Sequence, residues 1–334
     1  MTVWPPEFGP RSVAHHTANG RRLRQLAINA ALADLARLPP RLCLRLSSGL
    51  GIGGRHCQLT DNLTGNGHFP MQIDLTGKRA VISGSTLGIG FAIAKGLAQA
   101  GARVVVNGRS EASTTKARDR LLADLPNAEV DAVAADLATA DGVARFIEQV
   151  PNTDILVNNL GIFEPKAFDD IPDADWMRFF ETNVMSGIRL SRAYAPAMRQ
   201  NNWGRIVFIS SESGLSIPGE MVHYGMTKTA QLAVSRGLAT SLSGTGVTVN
   251  AVLPGPTRSE GVADFFGKIA RDQGKSQADV ERDFIATHRP SSIIKRLAEV
   301  DEVANLVVYV CSQQASATTG AALRVDGGVV NTIG

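Results

Sequence analysis

Residues 79–90, Arg79-Ala-Val-Ile-Ser-Gly84-Ser-Thr-Leu-Gly88-Ile-Gly90, decide how this chain reads. A short apolar, β-branched run ends in a loop with glycine at positions 84, 88 and 90. A helix-length apolar segment, 91–100, follows, and Gly101 stands where a helix C-cap belongs. Glycines in such a strand–turn–helix permit a tight turn and let backbone N–H groups approach a pyrophosphate. The helix N-terminus adds further donors and a favourable dipole. The loop residues Gly84, Ser85, Thr86, Gly88, Ile89 and Gly90 are therefore candidate nucleotide-binding positions. A glycine pattern alone is weak, but the flanking strand, helix and second strand make it strong.

Working outward, the pattern repeats. Strands are expected at 79–83, 103–107, 129–134, 155–158, 205–210, 248–252 and 322–325. Most are nearly continuous apolar runs, as expected for parallel strands covered on both faces. Amphipathic segments between them make βαβ units with right-handed crossovers. The expected fold is α/β: a single doubly wound, Rossmann-type parallel sheet of about seven strands with helices on both faces.

The second strand ends Val104-Val-Val-Asn107-Gly108-Arg109-Ser110. An acidic residue about 20 positions beyond the glycine loop would accept from the 2′-hydroxyl of NAD. Gly108 holds that place, and Arg109 follows. A guanidinium can form charge-assisted hydrogen bonds to a 2′-phosphate, and Ser110 adds a hydroxyl. NADP(H) is expected over NAD(H), although an arginine on a solvated loop is also common. After the third strand, Asp136 is placed to accept from an adenine amino group and Leu137 to pack on the ring. An aspartate there also serves as a helix N-cap. Asn158-Asn159-Leu160-Gly161 closes the fourth strand at the same crevice.

Tyr224 and Lys228 lie four apart at the start of a helical segment and share one face. A phenol titrates near 10, and a neighbouring ammonium is expected to lower that value. Tyr224 can then donate a proton to a carbonyl oxygen or take one from an alcohol. Neither Tyr194 nor Tyr309 has lysine four residues on. Ser211 ends the fifth strand and can hydrogen-bond the substrate oxygen where charge develops. Ser210 and Ser213 compete for that role. His223, beside Tyr224, should point to another face of the helix and is given no catalytic part.

Together these motifs resemble the short-chain dehydrogenase/reductase family over residues 71–334. The ordered set is the Gly84/Gly88/Gly90 loop, Asp136, Asn158-Asn159-x-Gly161 and Asn183 in Glu-Thr-Asn-Val. It continues through Ser211, Tyr224-x-x-x-Lys228, Asn250-Ala-Val-Leu-Pro254-Gly255-Pro-Thr257 and Val325-Asp-Gly-Gly328. The resemblance implies an NADP-preferring, 3-oxoacyl-ACP-reductase-like oxidoreductase acting on CH–OH or C=O groups. It implies catalytic Ser211, Tyr224, Lys228 and Asn183, the last holding a water that links Lys228 to solvent. It also implies that Asn159, Gly161, Tyr224, Lys228, Pro254, Gly255 and Thr257 meet the cofactor. A homotetramer or homodimer is the implied assembly. Two residues depart from the family pattern: Ser83 stands for threonine, and Leu160 for alanine. Leu160 is expected to add bulk beside the cofactor and narrow the pocket. A cofactor-binding sensor or scaffold without turnover is the alternative, since fold does not fix function. The lid over the substrate is expected at 258–294, with Phe265, Phe266 and Ile269 at helical spacing.

Composition narrows the remaining classes. The 334 residues are 44 % hydrophobic and 19 % charged, with net charge +3, normal for a globular protein. No run of about 18 apolar residues reads as a membrane span. Cys43, Cys57 and Cys311 are sparse and odd in number, which disfavours a disulfide framework or zinc site and fits a reducing, cytoplasmic compartment. No His or carboxylate cluster suggests a metal. Residues 1–70 differ from the rest: eight Arg, no Lys, three acids and four of the six His. Residues 21–38 space Leu and Ala helically, and Pro39-Pro40 stops the helix. A transit-type leader, a basic membrane-contacting helix and a disordered extension compete. The extension is preferred, with Met71 as the true start. The near-neutral remainder offers no electrostatic footprint for nucleic acid.

Overall fold

The computed structural model describes residues 72–333. The extension expected over 1–70, its helix and the start at Met71 lie outside the described residues, as do Cys43 and Cys57.

Seven strands form one parallel sheet: β1 (Arg79–Ile82), β2 (Arg103–Gly108), β3 (Val130–Ala134), β4 (Ile155–Asn158), β5 (Gly204–Ile209), β6 (Val247–Pro254) and β9 (Ala322–Val325). Their spatial order is β3-β2-β1-β4-β5-β6-β9. All six pairings are parallel. Such pairing leaves both faces apolar, and Ala80, Val81 and Ile82 are each fully buried. The helices in chain order are α1 (Gly88–Gln99), α2 (Glu111–Asp124), α3 (Ala140–Gln149), α4 (Asp173–Phe180), α5 (Ser186–Gln200), α6 (Val222–Ser241), α7 (Glu260–Gln273), α8 (Gln277–His288) and α9 (Val300–Cys311).

Two core clusters sandwich the sheet. Ile82, Val104 and Val106 pack on one face with Phe91, Leu97 and Val307. Val81, Val105 and Leu156 pack on the other with Phe146, Leu190 and Tyr194. Alternate residues of the same strands thus face opposite layers, as a pleated strand requires. The chain reverses direction of growth between β1 and β4, which opens a crevice at their carboxyl ends.

All seven expected sheet strands are present, with ends moved by a residue or two. A two-residue pair, β7 (Thr257–Arg258) with β8 (Ala298–Glu299), was not expected. It ties the base of the α7–α8 lid to the start of α9. The expected lid resolves into those two helices, whose own small core is Phe266, Ala270, Val280, Ile285 and Leu297.

Candidate active site

The glycine loop leaves β1 through Gly84 and Gly88, which adopt φ of 61° and 60°. That left-handed conformation favours glycine. At Gly90 the demand is spatial: a Cβ would lie 2.4 Å from Asn159 Nδ2 and 2.5 Å from the Gly84 carbonyl oxygen. The N-cap residue of α1, Leu87, offers no side-chain cap, and the first turn of the helix holds no acid. Its amides therefore face the crevice as a cradle for an anion. The Gly88 amide donates to Glu260 Oε2 at 2.7 Å.

Ser83 organises the loop from behind. Its hydroxyl receives the amides of Asn159 at 2.9 Å and Leu160 at 3.0 Å. Asn159 Nδ2 donates to the carbonyls of Ser83 and Gly84. Ser85 is fully buried and spends its hydroxyl on the Ile82 carbonyl and the Asn107 amide. Asn107 has no counterpart in the sequence reading. Its Oδ1 receives the Gly84 amide, and its Nδ2 donates to Val133 and Ala135, tying loop to sheet. Leu160 does not narrow the pocket: it turns inward and packs against the second core cluster. Gly161, one residue on, does face the cavity.

At the end of β2, Arg109 is exposed and makes no hydrogen bond or ion pair with any described residue. A Cβ on Gly108 would fall 2.6 Å from Thr86 Cγ2, so an acid at this place would displace Thr86. Ser110 caps α2, its hydroxyl accepting from the Ser113 amide. Asp136 receives the Ala138 amide, while Thr139 is the cap of α3. Leu137 is only 1 % exposed and packs in the second core, leaving little of it for a ring outside.

A cavity of about 840 Å³ opens beyond the loop. Ser211, Tyr224 and Lys228 line it together with Pro254, Gly255 and Thr257. Of the three serines, Ser211 is the one whose hydroxyl bears on the Tyr224 phenol, and that hydroxyl accepts the Ser213 amide at 3.1 Å. Ser210 instead donates to the Lys228 carbonyl at 2.9 Å, and Ser213 to Glu212 at 2.7 Å. Lys228 Nζ donates to the Ile209 carbonyl at 2.9 Å and sits 5.5 Å from the Tyr224 ring centre. Burial pushes the lysine down to about 7. Burial pushes the phenol up to about 12, against the opposing effect of the Ser211 hydroxyl. The lowering of Tyr224 expected from an adjacent ammonium is thus reversed, because desolvation disfavours both charged forms.

Asn183 lies in a π-turn, Glu181–Met185, that interrupts the helix between α4 and α5. Its Oδ1 accepts the Ile162 amide at 2.8 Å, and its Nδ2 donates to the Ile162 carbonyl and Thr227 Oγ1 at 3.0 Å. A Cβ on Gly161 would stand 3.4 Å from Lys228 Nζ and 3.5 Å from Asn183 Oδ1, which sets the closeness of all three. A π-turn shifts the backbone ladder and frees carbonyls. Here the Ser186 hydroxyl takes the Thr182 carbonyl and Gln231 Nε2 takes that of Asn183, both at 2.6 Å. Gln231 was not singled out by the sequence reading. His223 is fully buried away from the cavity, against Phe179 and Trp176.

Thr257 turns its hydroxyl back to the Gly255 carbonyl at 2.9 Å. A Cβ on Gly255 would meet the Asp326 carbonyl oxygen at 2.6 Å. Ser259 caps α7, and its Cβ lies 3.2 Å from where a Gly88 Cβ would be. An N-cap serine ahead of an apolar-periodic segment marks the helix start, but not this approach to the glycine loop. The lid is fastened on its far side too: Arg289 Nε donates to Glu212 Oε1 at 2.9 Å, a pair with side chains only 11 % and 4 % exposed. Among the described residues, no group of three or more His, Cys, Asp or Glu is placed to hold a metal, and no helix is long and apolar enough to cross a membrane.

A seven-stranded parallel sheet, a glycine-loop anion cradle at its switch point and the titratable side chains Tyr224 and Lys228 across the crevice define a nucleotide-binding α/β protein. Comparison with known proteins agrees. The profile of a family described as "Enoyl-(Acyl carrier protein) reductase" matches residues 84–330. The "Uncharacterized oxidoreductase YvaG" of Bacillus subtilis (strain 168) is 45 % identical over 263 residues, covering 79 % of this chain and 100 % of the relative. The 3-oxoacyl-[acyl-carrier-protein] reductase FabG of Escherichia coli (strain K12) is 32 % identical over 258 residues, covering 77 % and 99 %. The crystal structure of L-sorbose reductase from Gluconobacter frateurii, complexed with NADPH and L-sorbose, superposes with a TM-score of 0.74 at 32 % identity, covering 79 % and 100 %. The chain belongs to the short-chain dehydrogenase/reductase family of oxidoreductases.

Proposed function

We propose that this chain is an NADP(H)-dependent oxidoreductase that moves a hydride between nicotinamide and a carbonyl or secondary alcohol, with Tyr224 as acid–base. The observation that carries this reading is the convergence of Ser211, Tyr224 and Lys228 on one cavity beside the glycine loop. The residues fit the cofactor. The amides at the start of α1 suit its pyrophosphate, and exposed Arg109, without a partner among the described residues, suits a 2′-phosphate. Gly161, Pro254, Gly255 and Thr257 border the nicotinamide end. NADPH, when bound, supplies the hydride. Relatives and neighbours point the same way, including the L-sorbose reductase complexed with NADPH.

Ser211 and Tyr224 hold the carbonyl oxygen, and the phenol gives it a proton. A phenol held near 12 is fully protonated at neutral pH, which suits the donor of a reduction. Lys228 and Asn183 stand behind it to restore the proton. The catalytic unit is residues 71–334, which acts as a homodimer or homotetramer in the cytoplasm; residues 1–70 are dispensable for turnover.

The test is NADPH oxidation, with NADH in parallel, against thioesters, diketones, aldoses, quinones and ketosteroids. The full chain, a chain starting at Met71 and Tyr224→Phe are compared. NADPH-selective turnover is expected from the first two, with a loss of about 10²–10⁴-fold in the third at unchanged NADPH affinity. Near-normal turnover by Tyr224→Phe would remove the assignment.

A further inference from the structure

The cavity wall around Tyr224 is uneven in chemistry. Phe163, on the loop after β4, is 64 % exposed and sets its ring edge-on to that of Tyr224, centroids 6.4 Å apart. Phe265, on α7, is 59 % exposed and lines the same cavity. Its neighbour Phe266 is 3 % exposed and locked against Phe284 at 5.1 Å. The two phenylalanines therefore differ in purpose: Phe266 holds the lid together, and Phe265 presents apolar surface to the cavity. Met221, Val262 and Ile269 extend that surface.

Several of the charged and polar side chains on the same wall are already committed. Glu212 and Arg289 bind each other, Asp283 binds Lys275, and Asn159 binds the glycine-loop carbonyls. Around the phenol, the hydroxyls of Ser211 and Tyr224 are left to meet a ligand, with Gln273, Thr287 and His288 on the lid and half-exposed Glu164 and Glu220 further out. A polyhydroxy ketone in this space would press most of its hydroxyls against Phe, Ile, Met and Val. Each buried hydroxyl left without a partner costs about a factor of ten or more in affinity.

We propose that the substrate is a ketone bearing an aryl or branched-alkyl group, clasped between Phe163 and Phe265, and that sugars are excluded. This rests on the reading of the chain as a carbonyl reductase. A carbonyl oxygen placed at the Tyr224 hydroxyl brings its substituent beside the Phe163 ring, in the cavity that Phe265 also lines. The carbonyl carbon gains a hydride from NADPH and the oxygen gains the Tyr224 proton, giving a secondary alcohol and NADP⁺. Here the chain parts from its L-sorbose-reducing structural neighbour.

The test compares NADPH oxidation with acetophenone and 1-phenyl-1,2-propanedione against L-sorbose, using the full chain, Phe163→Ala and Phe265→Ala. The aryl ketones are expected to exceed L-sorbose at least a hundredfold in kcat/KM. Each alanine variant should lower kcat/KM for the aryl ketones by about tenfold or more, mainly through KM. The dissociation constant for NADPH, from fluorescence titration, should stay unchanged and so report an intact fold. L-sorbose turned over as well as the aryl ketones, or aryl-ketone kinetics indifferent to both variants, overturns the inference and leaves the oxidoreductase reading standing. NADPH bound but oxidised with no carbonyl at all overturns both.

Discussion

Glu260 Oε2 accepts the Gly88 amide at 2.7 Å, so the first residue of the lid sits on the first turn of α1. Its other oxygen receives Arg120 Nη1 at 2.9 Å. Burial raises the Glu260 pKa, but Arg120 and the backbone amides outweigh it and the net shift is downward, so the group is a carboxylate at neutral pH. An anion arriving at these amides meets a carboxylate already there. Glu260→Gln should tighten NADPH severalfold at low ionic strength, the contrast between variant and parent fading as salt is added. Fluorescence titration at several salt concentrations reads this directly, and identical constants would mean that carboxylate and pyrophosphate do not compete.

Arg109 offers a clean contrast between cofactors. Arg109→Ala should raise the KM for NADPH by about tenfold, the scale of a lost charge-assisted hydrogen bond, and leave that for NADH unchanged. Steady-state kinetics with both cofactors measures it. Equal losses with both would place Arg109 outside the 2′-phosphate contact.

Lys228 makes stability depend on pH. Its pKa falls from 10.5 in the unfolded chain to about 7 in the fold. Between those values the unfolded state binds a proton that the folded state refuses, so folding is penalised. That penalty is full below pH 7 and gone above 10.5. Stability of the protein alone should therefore rise with pH across this window. Tyr224, raised from 10.0 to about 12, acts with opposite sign: above pH 10 the unfolded phenol ionises and stability declines. Lys228→Met should remove the rise and keep the decline. Chemical denaturation at a series of pH values separates them, and parallel profiles for variant and parent would contradict the assignment.

Gln231 supports the π-turn rather than the chemistry. Replacing it with leucine strands the Asn183 carbonyl in a buried place and should cost about 1–3 kcal/mol of stability. Denaturant unfolding checks this. A cost within a few tenths would show that another donor takes over.

Much of this arrangement was legible along the chain. The strands were readable because each is a β-branched run buried on both faces, and the glycine loop because its spacing is local. Ser211, Tyr224 and Lys228 stood out for the same reason, lying within one strand–turn–helix. The unread contacts join distant parts: Glu260 meets Gly88 across 172 positions, and Gln231 meets Asn183 across 48. No periodicity encodes such meetings. Leu160 was misjudged because its direction depends on how Ser83 gathers the amides of Asn159 and Leu160, which spacing does not show. The Tyr224 pKa was misjudged because adjacency to a charge is visible in sequence, whereas the depth of burial is not.

The buried Arg289–Glu212 pair joins the end of the lid to the residue immediately after Ser211. Breaking such a pair leaves an uncompensated charge, so the joint resists separation. The segment that chooses among substrates and the segment that grips the reacting oxygen are consequently one mechanical part. Drift in the lid toward a new substrate carries the oxygen seat with it. Broadened range and undiminished turnover are then hard to obtain together, unless the changes fall on the Phe265 side of the lid, away from this joint.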